Sequence, residues 1–240
     1  MDETRLRLLN AAGPIFAERG YRATTVREIC QEAGTNLAAI SYHFEDKEGF
    51  YVAAVKQAAQ GCMDRVPLPQ WAAETSAEEK LLSFVTTFLN RVAVDHDPAW
   101  HSQLLMREMV LPTRACAEFV RDYVRPMHRM LIGILSELMP KSSEKERWLT
   151  ALSIVGQCLH HRFGQAVMIE LMGETAIASF GVKKLAEHIT SFSLAAIERA
   201  TKPRLSAKAS RTTALEAKTK QSVSGTTRRV DRPARKRGSR

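Results

Sequence analysis

Residues 34–44, Gly-Thr-Asn-Leu-Ala-Ala-Ile-Ser-Tyr-His-Phe, carry the side chains of this 240-residue chain best suited to reading another molecule's surface. Read as a turn and a short helix, the stretch turns Asn36, Ala38, Ala39, Ser41, Tyr42 and His43 outward. Leu37, Ile40 and Phe44 then face a core. Small residues allow close approach, and the amide, hydroxyl and imidazole tips offer hydrogen bonds. A plain surface helix more often shows Glu, Lys and Gln, the good helix formers. Such a face suits either packing on a neighbouring helix or entry into a DNA groove.

The elements that would hold this face are also legible. Thr25 to Ala33 reads as a helix, with Val26, Ile29 and Ala33 on one apolar stripe. Thr25 and Glu28 have the spacing of a capping box. Gly34 follows as a left-handed terminator, and Asn36 can cap the next helix. Two short helices joined by a three-residue turn with Gly form a helix-turn-helix. Thr24 and Thr25 place hydroxyls and free amides at a helix N-terminus, which suits a phosphate as well as a cap. Arg27 points away from the Val26/Ile29 stripe, toward DNA or solvent.

The flanks narrow the choice. Ala17-Glu18-Arg19-Gly20-Tyr21-Arg22-Ala23-Thr24-Thr25-Val26-Arg27-Glu28-Ile29 precedes the turn, and Tyr42-His43-Phe44-Glu45-Asp46-Lys47-Glu48-Gly49-Phe50 follows it. Over roughly residues 5–55 this run resembles the DNA-binding domain of the TetR family of bacterial transcriptional regulators. The segments Arg107–Thr113, Val124-Arg125-Pro126 and Val155-Gly156-Gln157-Cys158 are similar to the CecR-type branch. The resemblance implies an all-α chain: a three-helix helix-turn-helix domain (1–46), a larger helical ligand-binding and dimerisation domain (47–200), and a tail outside it (201–240). It further implies a homodimer on a pseudo-palindromic operator in double-stranded DNA, and a repressor released by an unknown small-molecule effector. On that pattern Asn36, Leu37, Ala38, Ala39 and Ser41 approach base edges. Tyr42, His43, Lys47 and the Thr25 end of the second helix hold phosphates. The alternative is a helical small-molecule-binding or scaffold protein that has lost specific DNA binding.

Charge is consistent with either. The net charge is +9, yet residues 201–240 hold thirteen Lys and Arg against two acids. The other 200 residues carry 22 basic and 24 acidic groups. Basicity therefore belongs to the tail, which is rich in Ser, Thr, Lys and Arg. It reads as disordered, serving either phosphate attraction or solubility. No apolar run is long enough for a membrane span, and no secretory signal opens the chain, so a cytoplasmic protein is expected. Cys30, Cys62, Cys116 and Cys158 are far apart and read as buried thiols.

The rest of the chain reads as long helices. Gly13-Pro14 falls inside a first helix over 4–19 and predicts a kink or a split there. A fourth helix over 46–63 joins the two domains. Ser76 starts a fifth, with Leu81, Leu82, Phe84, Val85, Phe88, Leu89 and Val92 buried, and Asp97-Pro98 starts another. Pro126 predicts a kink in the helix capped by Thr113. Residues 144–172 are apolar almost all round, and 182–200 form a last amphipathic helix. In the TetR family the last two long helices form the dimer interface, and 144–172 and 182–200 match them in position.

Catalysis finds no support. His160 and His161 are adjacent and face different sides of a helix, while His96 and His101 lack a carboxylate at ligand spacing. There is no HExxH, P-loop or GxSxG pattern. No metal site, cofactor or enzymatic activity is expected. Arg107, Glu108, Gln157, His160 and Arg162 are polar residues in apolar helices and need partners. Arg107 can pair with Glu108, or with Arg125 nearby complete an internal network. Otherwise Arg107, Gln157 and His160 line a pocket with Phe88, Trp100, Met106, Met109, Met127 and Met130, whose soft side chains adapt to apolar ligands.

Overall fold

A computed structural model describes residues 2–92 and 98–201. Their regular elements are helical. α1 (Glu3–Ala23), α2 (Val26–Glu32), α3 (Leu37–Phe44) and α4 (Lys47–Arg65) come first. They are followed by α5 (Ala77–Val92), α6 (Trp100–Val110), α7 (Ala115–Phe119) and a π-helical segment (Val120–Val124). α8 (Arg125–Leu138), α9 (Glu144–Phe163), α10 (Gln165–Met172), α11 (Glu174–Ala178) and α12 (Gly181–Thr201) complete the set. The tail from residue 202 and the start expected at Asp97 lie outside the described residues, as does His96. Thr201, assigned above to the tail, belongs to α12.

Two apolar cores organise these helices. The first joins Leu8 and Phe16 of α1, Ile29 of α2, Ile40 and Phe44 of α3, and Phe50 of α4 to Leu104 of α6 and Phe119 of α7. Its centre is aromatic: Phe16 meets Tyr51 edge-on at 4.9 Å, and Phe44 stacks on Phe50 at 4.4 Å. The second core packs α5, α8, α9 and α12 through Leu81, Leu89, Leu131, Ile134, Ile154 and Ile189.

α6 is tied to the α1–α4 body by polar contacts as well as by packing. Glu108 is fully buried. It accepts a hydrogen bond from the Tyr51 hydroxyl at 2.9 Å, and others from the Thr113 amide at 2.6 Å and hydroxyl at 2.9 Å. Burial, and then the neighbouring Glu108 carboxylate, push the Tyr51 hydroxyl above its ordinary pKa. Arg107 does not pair with Glu108; it donates to the carbonyls of Glu18 and Arg19 near the end of α1. Those acceptors attract a cation because carbonyls at a helix C-terminus lack partners. Farther up, Arg65 of α4 donates to His101 Nδ1 at 2.6 Å.

Several expectations change in the structure. α1 runs through Pro14 with helical torsions and breaks at Gly20 (φ 79°, ψ 173°) instead. Asn10 and Pro14 are both exposed, so water can serve the carbonyl that Pro14 leaves unbonded. Gly13 earns its place by contact: a Cβ there would meet the Trp100 ring at 2.5 Å. Pro126 sits in the first turn of α8, where it needs no donor, and the π-helical segment before it widens the turn. The apolar run 144–172 divides at Gly164 into α9 and α10. Leu37 and Leu82, expected in the core, are 45 % and 36 % exposed.

The α4–α6 contact predicts a pH dependence. Burial, and then the Arg65 charge, pull the His101 pKa down from 6.5 to about 4. The unfolded chain takes up this proton below pH 6.5 and the folded chain resists it. Stability from His101 is therefore present above pH 6.5 and lost as pH falls toward about 4. Chemical denaturation across this range should show a loss in the wild type of up to about 3 kcal/mol. His101→Gln, which keeps an acceptor for Arg65 but does not titrate, should show a smaller one.

Candidate nucleic-acid interface and ligand cavity

The helix-turn-helix is held at each end by its own side chains. Thr25 caps α2, accepting from the Glu28 amide at 3.2 Å, while the Glu28 carboxylate accepts from the Thr25 amide at 3.2 Å. The Thr25 amide, and then the Thr25 hydroxyl donating at 3.1 Å, hold the Glu28 carboxyl below its usual pKa. Gly34 takes φ 62°, a conformation that L side chains rarely adopt, and turns the chain. Asn36 caps α3, its Oδ1 accepting from the Ala39 amide at 3.1 Å. Asp46 caps α4 by accepting from the Gly49 amide at 2.8 Å. Gly49 lies so close to the Phe44 carbonyl that a Cβ would collide with it.

With Ile40 and Phe44 buried, α3 shows Leu37, Ala38, Ser41 and Tyr42 to solvent, Tyr42 at 82 % exposure. Asn36 and Thr25 are exposed beside them. Arg27 is exposed and makes no ion pair among the described residues. Three residues of the sequence roster sit differently. Thr24 is buried, its hydroxyl donating to the Gly20 carbonyl at 2.8 Å. Ala39 is half-buried against the first core. The His43 ring is largely covered, lying 3.7 Å from Asp2 and edge-on to Tyr42.

Lys47 is half-buried at the start of α4, with its ammonium 4.6 Å from the Tyr21 ring centroid. That cation–π contact restrains a long side chain at the rim of the α3 face. Arg5, overlooked in the sequence, sits likewise over Phe44 at 5.1 Å. An arginine three residues before Leu8 gave no periodic signal of this placement.

A cavity of about 210 Å³ lies between α4, α5, α6, α8 and α9. Phe88, Met106, Met109 and Met127 line it, as the sequence suggested. The other five do not. Trp100 covers Gly13 of α1, and Met130 packs into the second core. Gln157 donates back to the Ser153 carbonyl, and His160 is exposed. Arg107 instead edges a separate hollow of about 540 Å³ between the end of α1 and the α6–α7 turn. Arg91, His128 and Cys62 line the 210 Å³ cavity and were missed; Arg91, within the apolar run after Phe88, was the available signal. Burial raises the Cys62 thiol pKa, which keeps it protonated and unreactive. Among the described residues no group of histidines, cysteines and carboxylates could hold a metal ion, and no helix is long and apolar enough to cross a membrane.

Comparison with known proteins follows the same division. Residues 8–61 match the family described as bacterial regulatory proteins, tetR family. Residues 77–197 match the C-terminal domain of the HTH-type transcriptional dual regulator CecR. The chain is 25 % identical over 185 residues to the CecR regulator of Shigella flexneri, covering 73 % of this chain and 82 % of that one. It is 26 % identical over 141 residues to the fatty acid metabolism regulator protein of Bacillus subtilis, covering 59 % and 71 %. Its fold resembles the crystal structure of a tetR-family regulatory protein from Rhodococcus RHA1, with TM-score 0.58, 18 % identity, and coverage of 82 % and 98 %.

The α3 geometry separates face from core. Ala38→Glu and Tyr42→Ala, both at exposed positions, should change unfolding free energy by no more than about 0.5 kcal/mol. Ile40→Ala should cost about 2–4 kcal/mol in the same urea titration.

Proposed function

Since the chain belongs to the TetR family of DNA-binding transcriptional regulators, with a CecR-type C-terminal domain, we propose that it is a homodimeric repressor released by a small-molecule effector. The observation that carries the reading is the exposed face of α3. Ala38, Ser41 and Tyr42 project from a helix whose N-terminus Asn36 caps and whose other side is core. Set in a major groove, Ala38 and Leu37 suit a thymine methyl, and Ser41 and the Asn36 amide suit base edges. Tyr42, Thr25, Arg27 and Lys47 lie where phosphates would run. His43 is a lesser contact than the sequence suggested, because its side chain is largely covered.

In the proposed domain organisation residues 1–46 read DNA, residues 47–200 bind effector and dimerise, and residues 201–240 add nonspecific attraction to phosphate. The dimer would form through α9, α10 and α12. Leu149, Leu152, Val167, Leu171 and Phe192 are all more than half exposed there, a large apolar surface for a single chain in water. The two α3 helices would then read half-sites about one helical turn, ~34–36 Å, or a multiple apart. The effector would occupy the 210 Å³ cavity and shift the equilibrium between two arrangements of the heads. A cytoplasmic location and the absence of enzymatic turnover go with this role.

Selection of duplex DNA by the full chain, followed by binding measured against salt, tests the reading. A palindromic site should be enriched. Ala38→Glu should lose at least about tenfold in specific affinity, a direct base-contact effect. Lys47→Ala should weaken all sequences alike and lower the salt slope by about one. A folded dimer that enriches no site would instead support a helical ligand-binding protein without DNA reading. The similar regulator of Shigella flexneri bears the description of a dual regulator. Transcription from the selected site should therefore be read in both directions, and activation would overturn the repressor assignment.

A further inference from the structure

Arg91 is 8 % exposed and lines the apolar cavity. Its Nε donates to the Val66 carbonyl at 2.7 Å, and its Nη1 meets Met127 Sδ at 2.8 Å. Its Nη2 is buried with no partner, and no carboxylate pairs with it among the described residues. Arginine keeps its charge even when buried, so this cation sits uncompensated in a nonpolar space. A second orphan lines the same cavity. His128 Nε2 is buried and unpartnered, and its ring stacks on Trp148 with centroids 3.9 Å apart. Burial lowers the His128 pKa, which favours the neutral ring; its Nε2–H tautomer donates one hydrogen bond.

On the reading that this cavity is the effector site, we infer that it takes a ligand with a single carboxylate and an apolar body, the carboxylate meeting Arg91 Nη2 and His128 Nε2. Two free donor nitrogens suit the two oxygens of one carboxylate. A phosphate group would bring more acceptors than the cavity has free donors, and a cationic ligand would be repelled by Arg91. Most of the remaining wall is apolar, with Phe84, Phe88, Met106, Met109 and Leu159 in it, and the Ser102 and Tyr123 hydroxyls there already donate to the Ala99 and Lys56 carbonyls. A cavity of about 210 Å³ lies below the ~300–1,000 Å³ usual for drug-sized ligands. It fits a body of about six to ten carbons, with the methionines adjusting to its shape.

Calorimetric titration of the full chain, without DNA, tests this with hexanoate, octanoate, decanoate and phenylacetate, and with 1-octanol as the uncharged control. At least one acid should bind, and octanoate should bind at least about tenfold tighter than 1-octanol. Arg91→Met, which keeps the length and removes the charge, should abolish that preference without lowering the thermal midpoint. If it does not fold, Arg91→Gln reads the same preference. Binding by none of the four acids, equal affinity for octanol, or an unchanged preference in the variant overturns the assignment. Operator affinity is measured separately with and without octanoate. Octanoate binding that leaves operator affinity unchanged upholds the ligand class and overturns the effector reading. Intact operator binding with no acid bound overturns the ligand class alone.

Discussion

The buried carboxylate of Glu108 is the constraint around which the two halves of the chain are arranged. A charge removed from water persists only if hydrogen bonds replace its hydration. Here Tyr51 supplies one from α4, and Thr113 supplies two from the turn after α6. Satisfying Glu108 therefore fixes α6 against α4 and sets where α7 begins. Its neighbour Arg107 reaches to the end of α1. The two flanks of the helix-turn-helix, the end of α1 before it and α4 after it, are thus held by one helix that does not belong to it.

The same helix faces the cavity. Met106 and Met109 line it, while Arg107 and Glu108, between them in sequence, point to α1 and α4. Successive residues on a helix diverge by about 100°, so one short element presents an apolar side to the cavity and a polar side to α1 and α4. We propose that α6 is the lever of the regulator. A ligand that moves Met106 and Met109 must move the Arg107 and Glu108 anchors with them, or strain them. His101 ties the N-terminal end of α6 to Arg65 of α4.

Much of the reading head was legible in the sequence because its determinants are local. The Thr25/Glu28 box, Gly34 and the Asn36 cap are each decided within four residues, and each appears in the structure. What failed depended on distant partners. Nothing local to Thr24 shows that its hydroxyl turns back to Gly20 instead of serving the helix N-terminus. An aromatic on an apolar stripe suits a pocket as well as a core, and Trp100 does not reveal that Gly13, far away in sequence, makes room for it. Pairing with Glu108 and lining the pocket are both open to Arg107 from the sequence, and only the distant carbonyls of Glu18 and Arg19 decide its place. Pro14 faces water and keeps helical torsions, whereas Pro126 opens α8 directly behind a π-helical segment, where the run from Ala115 leaves regular α geometry.

The lever is tested most directly by the coupling between ligand and operator in Arg107→Met. In the wild type, octanoate should weaken operator binding by about fivefold or more, the low end of ordinary allosteric coupling. In the variant the cavity is untouched, so octanoate should bind as before while operator affinity no longer responds to it. Equal coupling in the two proteins would contradict a signal carried through α6.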